Sequence, residues 1–118
     1  MDKATIDNAM KAWAPILRPE SPMALNLFAR ALLVATPGAS GKPSYFESGK
    51  TQLEIFGYED NPQNRRTLRN YHKTLTRAKA FVVTQRGGGG KSPRYDINLR
   101  PVDPNEDEDP EEVAELPP

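Results

Sequence analysis

Apolar positions recur at helical spacing in several stretches of the chain and alternate at strand spacing near residue 95. In TIDNAMKAWAP, Ile6, Met10 and Trp13 fall at i, i+4 and i+7, which predicts a short amphipathic helix capped by Thr5 and interrupted at Pro15. Its stripe is expected to pack on the body of the protein. A second helix is announced by Ser21-Pro22, a capping residue followed by proline at the first helical position, where a missing N–H does no harm. MALNLFARALLVAT then runs to Pro37-Gly38. Met23, Leu25, Leu27, Phe28, Leu32, Leu33 and Val34 nearly encircle it, so it is expected to be the central buried helix.

GASGKPSYFESG follows as loop around a short extended piece, Ser44-Tyr45-Phe46. KTQLEIFGYE predicts a short helix with Leu53 and Phe56 inward and Gly57 ending it in a left-handed turn. Asn61-Pro62 repeats the cap-plus-proline start and opens a helix over 62–80, QNRRTLRNYHKTLTRAKA. At 100° per residue from Arg65, Leu68, Tyr71, Leu75 and Ala78 fall between about 220° and 300°, and Arg65, Arg66, Arg69, Lys73 and Arg77 between 0° and about 120°. One side of this helix is buried and the other is a basic ridge, with Asn70 and Thr74 at its edge. FVVTQR and RYDINL then read as two strands joined by GGGG. Tyr95, Ile97 and Leu99 lie on one face, and the joining tip is expected to be long and flexible.

Charge sharpens this picture. All 16 Lys and Arg and eight of the 16 acids lie in residues 1–100, a net charge of +8; residues 101–118, PVDPNEDEDPEEVAELPP, hold the other eight acids and no base. The chain therefore divides into an N-terminal extension (1–20), a basic domain (21–100) and an acidic tail (101–118), which is expected to be disordered. Between Asn61 and Arg100 there are ten bases and one acid, Asp96, whereas an ordinary solvated surface mixes its signs. A mean hydropathy of −0.71 leaves no candidate membrane span, and the aspartates of MDKATIDNAMKAWAPI do not suit a secretory leader. A cytoplasmic protein is expected.

Gly90-Lys91-Ser92 resembles the end of a phosphate-binding P-loop, but that motif needs glycine where this chain has Gln85, and a helix where Pro93 and a strand follow. The glycines suit a hairpin tip that approaches a phosphate backbone closely, flanked by Arg86, Lys91 and Arg94. With no cysteine, one histidine (His72) and scattered acids, the chain offers no nucleophile with its activator and no metal-ligand spacing. Neither enzymatic activity nor a cofactor is expected. His72, at the border of the two faces, suits packing or a backbone contact.

The order of elements resembles the winged helix-turn-helix DNA-binding domains of bacterial and bacteriophage regulators over residues 21–100. TQLEIFGY stands as the positioning helix, NRRTLRNYHKTLTRAKAFVV as the recognition helix leading into the wing, and TQRGGGGKSPRYDINL as the wing. The implied fold is α+β and mostly helical, a three-helix core plus a β-hairpin wing, here with an extra N-terminal helix. The linker from Tyr58 to Gln63 is longer than the turn of a basic helix-turn-helix. The resemblance implies a sequence-specific double-stranded DNA-binding protein that regulates transcription, the same module also serving at origins, in recombination, or in protein contacts. It places Arg66, Arg69, Asn70 and Lys73 at base edges. Arg65, Arg77, Arg86, Gly88, Gly89, Lys91 and Arg94 fall at phosphates. Dimerisation through the first helix fits proteins that read two half-sites. RNA is disfavoured because Tyr71 faces inward. Three roles stand open for the tail: solubility, contact with another protein, or folding back over the DNA-binding surface.

Overall fold

The computed structural model describes residues 1–88 and 91–101, so the expectations for Gly89 and for residues 102–118 lie outside it. Among the described residues the chain is α+β, with four helices and a four-stranded antiparallel sheet. No helix among them is long and apolar enough to cross a membrane.

Helix α1 (Lys3–Glu20) is longer than expected, and Asp2 rather than Thr5 caps it, its Oδ1 accepting from the Thr5 N–H at 2.8 Å. It runs through Pro15 and Pro19. A proline removes one helical hydrogen bond and strands the carbonyl four residues back. Lys11, Pro15 and Pro19 all lie on the exposed side, so the stranded carbonyls face water and the helix survives. The opposite side buries Ala9, Trp13 and Leu17. Ser21 closes α1 through its N–H to the Leu17 carbonyl and opens α2 (Pro22–Val34) by accepting from the Ala24 N–H at 3.1 Å.

Helix α2 packs against α1, against the basic helix and against the sheet, burying Ala24, Leu27, Phe28, Ala31 and Leu32. It is central but not encircled: Leu33 is 65% exposed, on a flank those neighbours leave open. The segment after α2 holds more structure than its composition suggested. Gly38 donates to the Lys42 carbonyl and Gly41 to that of Gly38, which folds β1 (Thr36–Pro37) onto β2 (Pro43–Tyr45). A Cβ on Gly38 would lie 2.7 Å from the Lys42 oxygen, so that turn needs glycine.

Strand β2 in turn pairs with β4 (Arg94–Ile97), which pairs with β3 (Phe81–Gln85), giving the order β1-β2-β4-β3. Tyr45 stands opposite Tyr95 and Phe81 opposite Ile97, and all four are buried. Their rings continue into the helices: Phe81 lies 4.9 Å from Tyr95 and 6.2 Å from Phe28, and Phe28 lies 5.8 Å from Trp13. Side chains of this size stabilise by about 1.5–3 kcal/mol each on full burial. The Trp13 indole N–H donates to the Asn98 carbonyl at 2.8 Å, so α1 belongs to the same core as the sheet.

Asn98 fastens a second junction. Its side chain donates to the Lys79 carbonyl at 2.6 Å and its N–H to that of Ala80 at 3.0 Å. These carbonyls sit where the basic helix ends, in a turn closed by Ala80 N–H to Leu75 and Lys79 N–H to Thr76. That turn requires a left-handed residue, and Lys79 supplies it at φ 66°. Left-handed backbone costs an L residue roughly 1–2 kcal/mol, most for a β-branched one, and glycine almost nothing. Lys79→Gly is therefore expected to be more stable than Lys79→Val by about 1–2 kcal/mol in urea denaturation; equal midpoints would rule out the left-handed turn.

Candidate nucleic-acid interface

Two short-range signals set the angle between helix α3 (Gly49–Ile55) and helix α4 (Pro62–Arg77). Gly57, at φ 77°, ends α3 as expected, with Tyr58 N–H bonded to the Leu53 carbonyl at 2.8 Å. Asn61 then caps α4, its Oδ1 accepting from the Asn64 N–H at 2.8 Å, while the Asn64 side chain reaches back to the Glu59 carbonyl. Leu68 and Leu75 anchor α4 in the core. Tyr71 is half-buried, its hydroxyl 3.5 Å from that of Tyr58, and this hydrogen bond together with burial pushes its pKa up to about 12.

The outer side of α4 exposes Arg66, Arg69, Asn70, Lys73 and Arg77, and among the described residues none of these four cations forms an ion pair. Arg65 differs. Its guanidinium holds both Asp60 carboxylate oxygens, Nη2 at 2.8 Å, which raises the Arg65 pKa and lowers that of Asp60. The ridge therefore begins with a charge already compensated.

The hairpin opposite is less loose than its glycines suggested. Gly88 and Lys91 exchange two backbone hydrogen bonds, of 2.9 and 3.0 Å, so the expected long tip is closed by a ladder rung. A Cβ on Gly87 would lie 2.8 Å from Pro93 Cδ, which fixes glycine there for packing. Arg94 turns away from this surface and lies over the Phe46 ring, 4.6 Å from its centroid.

Between α4, the hairpin and the start of α3 runs an open groove of about 1100 Å³. Arg65, Arg69 and Lys73 line it from the helix, and Arg86, Gly88 and Lys91 from the hairpin. Among the described residues Glu47 is its one lining carboxylate, and that charge is engaged: Oε2 accepts from Arg30 at 2.6 Å and Oε1 from the Tyr45 hydroxyl at 2.8 Å. Arg69, Lys73, Arg86 and Lys91 are thus left facing one channel with no acid partner among the described residues. Of the residues expected at the site, Arg66, Asn70 and Arg77 are exposed on α4 outside the groove, and Arg94 lies beyond it.

The chain matches no family model, no curated protein and no solved structure.

Two groove residues were not singled out as a pair by the sequence. Gln52 is buried, and its amide donates to the Glu47 carbonyl at 2.8 Å. Its oxygen is therefore the acceptor for His72 Nε2, 2.7 Å away, so Nε2 carries the imidazole proton and Nδ1 is a bare acceptor. Nδ1 has no partner among the described residues, and the ring stacks on Tyr95 at 5.3 Å. A polar residue beside Leu53 on the inner side of α3 was the only hint.

Burial lowers the His72 pKa from 6.5 to about 4. The unfolded chain therefore binds the extra proton between those values and the fold does not, so stability rises with pH across that window. Stability is expected to be level above about pH 7 and to fall by on the order of 3 kcal/mol as pH drops from 6.5 towards 4. Urea midpoints measured from pH 8 to pH 4 test this; His72→Phe should flatten the slope in that window, and an unchanged slope would place the titration elsewhere.

Proposed function

We propose that this protein is a winged helix-turn-helix protein that binds double-stranded DNA, with α4 as recognition helix and the β3–β4 hairpin as wing, and that it regulates transcription by occupying a specific site. The observation that favours this reading most is the groove, where cations from two separate elements face one another across a channel open to solvent. Clustered cations without internal partners are otherwise repulsive, and a phosphate backbone lying between them offsets that repulsion.

In this reading Arg66, Asn70 and Arg77, together with the outward reach of Arg69 and Lys73, meet base edges and phosphates in the major groove. An arginine–guanine or asparagine–adenine pair discriminates by about 1–3 kcal/mol. Arg86, Gly88 and Lys91 meet the backbone beside it. Arg65 contributes less than its position suggested, because an incoming phosphate must first displace Asp60.

Selection from a random duplex library near physiological salt tests the proposal. An enriched motif is the expected result, and a palindromic one adds a dimer. Salt-sensitive binding without enrichment would make the protein an architectural or accessory factor at origins or in recombination. No binding to any duplex would overturn the proposal.

A further inference from the structure

The acid partners that the groove cations lack among the described residues are present elsewhere in the chain. Residues 102–118 contain eight carboxylates and no base, while Arg69, Lys73, Arg86 and Lys91 line a channel about 1100 Å³ in volume without acid partners among the described residues. We propose that the acidic segment 102–118 seats in the groove between α4 and the hairpin in cis and competes there with nucleic acid. The competition rests on the DNA-binding reading; the seating does not.

Three features favour the groove over other parts of the surface. The first is charge. On α1, Lys3 already pairs with Asp7 at 3.7 Å while Lys11 and Arg18 stand singly, and Arg30 is held by Glu47, whereas the groove gathers Arg69, Lys73, Arg86 and Lys91 around one channel with no acid partner among the described residues. The second is where the chain leaves the fold. Asn98 is bound to Lys79 and Ala80, at the end of α4, so the segment starts beside the helix that forms one wall. From there to the closed rung at Gly88 and Lys91 is the length of the hairpin, roughly 25 Å at 3.3 Å per strand residue. Seventeen residues reach up to about 55–60 Å when extended, so the segment spans the groove with length to spare.

The third is chemical fit beyond charge. The groove also presents Leu68, Val83 and Pro93, and the segment carries Val102, Val113 and Leu116 among its acids. Tethering places those carboxylates at an effective concentration on the order of millimolar, enough for weak individual contacts to fill the site. Duplex that offers only phosphates competes with the segment on equal chemical terms. A sequence that also makes base contacts retains an advantage the segment cannot match. The result is a filter against nonspecific duplex.

The chain has no cysteine, so Pro118→Cys accepts a single nitroxide label on the whole 118-residue chain. Its paramagnetic broadening is expected at the amides of Arg69, Lys73, Arg86 and Lys91 at low salt, with Lys3 and Lys11 unaffected. The broadening should vanish when all eight segment acids are exchanged for their amides. Absent broadening, or equal broadening over α1, overturns the seating whatever DNA does. In the unlabelled amide variant, affinity for random duplex at low salt is expected to rise about tenfold or more. Unchanged affinity, with both forms binding, overturns the competition. Groove broadening in a protein that binds no duplex upholds the seating and sinks the DNA-binding reading on which the competition rests.

Discussion

Trp13→Ala is expected to lower the free energy of unfolding by about 3–5 kcal/mol, a large fraction of the 5–15 kcal/mol typical of a domain. The side chain is 1% exposed, with its ring 5.8 Å from that of Phe28. Alanine there removes a large apolar surface, leaves a cavity between α1 and α2, and deprives the Asn98 carbonyl of its donor. Trp13→Phe separates these effects. It keeps most of the packing but forfeits the hydrogen bond, and about 1–2 kcal/mol should be lost. Urea denaturation of both variants is the measurement. A loss below 1 kcal/mol for Trp13→Ala would mean that α1 is an appendage to the fold and not part of its core.

The second large effect is on binding. Neutralising Arg69 and Lys73 together (Arg69→Gln, Lys73→Gln) is expected to weaken duplex binding by about 10- to 100-fold at low salt and to make the slope of log affinity against log salt shallower by about 2. Both residues are exposed and line the groove without ion pairs among the described residues, so their loss should leave stability nearly unchanged. Lys11→Gln with Arg18→Gln on α1 serves as a control that removes the same two charges, both exposed and outside the groove lining, and should change neither quantity appreciably. Equal losses from the control and the double variant would show attraction to the protein's overall charge and not to this surface. The same titration with Arg65→Gln should give a smaller change, because Asp60 already occupies that guanidinium.

Much of the architecture was legible because it is set by local chemistry. Ser21-Pro22 and Asn61-Pro62 start their helices where the cap-plus-proline pattern puts them, and Gly57 makes its left-handed turn. The inward positions of α4 followed from its periodicity. What the pattern missed depends on neighbours distant in sequence. Pro15 does not stop α1, because whether a stranded carbonyl is tolerated depends on which side faces water. Leu33 is exposed because α1, α4 and the sheet leave that flank of α2 open. Strand β2 was legible as the short extended piece Ser44-Tyr45-Phe46, but β1 was hidden in a glycine- and proline-rich stretch, and the pairing of β2 with β4, some 50 residues on, could not be read locally. At the site, the basic ridge was visible as a charge pattern. That Gln52 and His72 meet in the groove required the angle between α3 and α4, and that Arg65 is taken up by Asp60, five residues back, required the path of the linker into α4.

The bond between Trp13 and Asn98 joins positions 85 residues apart, and this has a consequence for the order in which the fold can be made. Helices α1 and α2 are adjacent in the chain and can pair as soon as both have been synthesised. The partner of the indole N–H, however, is Asn98, just past the end of β4. Until then the nascent helical pair must carry Trp13 and Phe28 without the strands that cover them, an apolar surface of the kind that chaperones recognise. Completion of β4 closes the sheet, the end of α4 and the first helix together. Such long-range closure predicts folding slower than that of a helical bundle of the same length, with α1 among the last elements to acquire its full protection from hydrogen exchange.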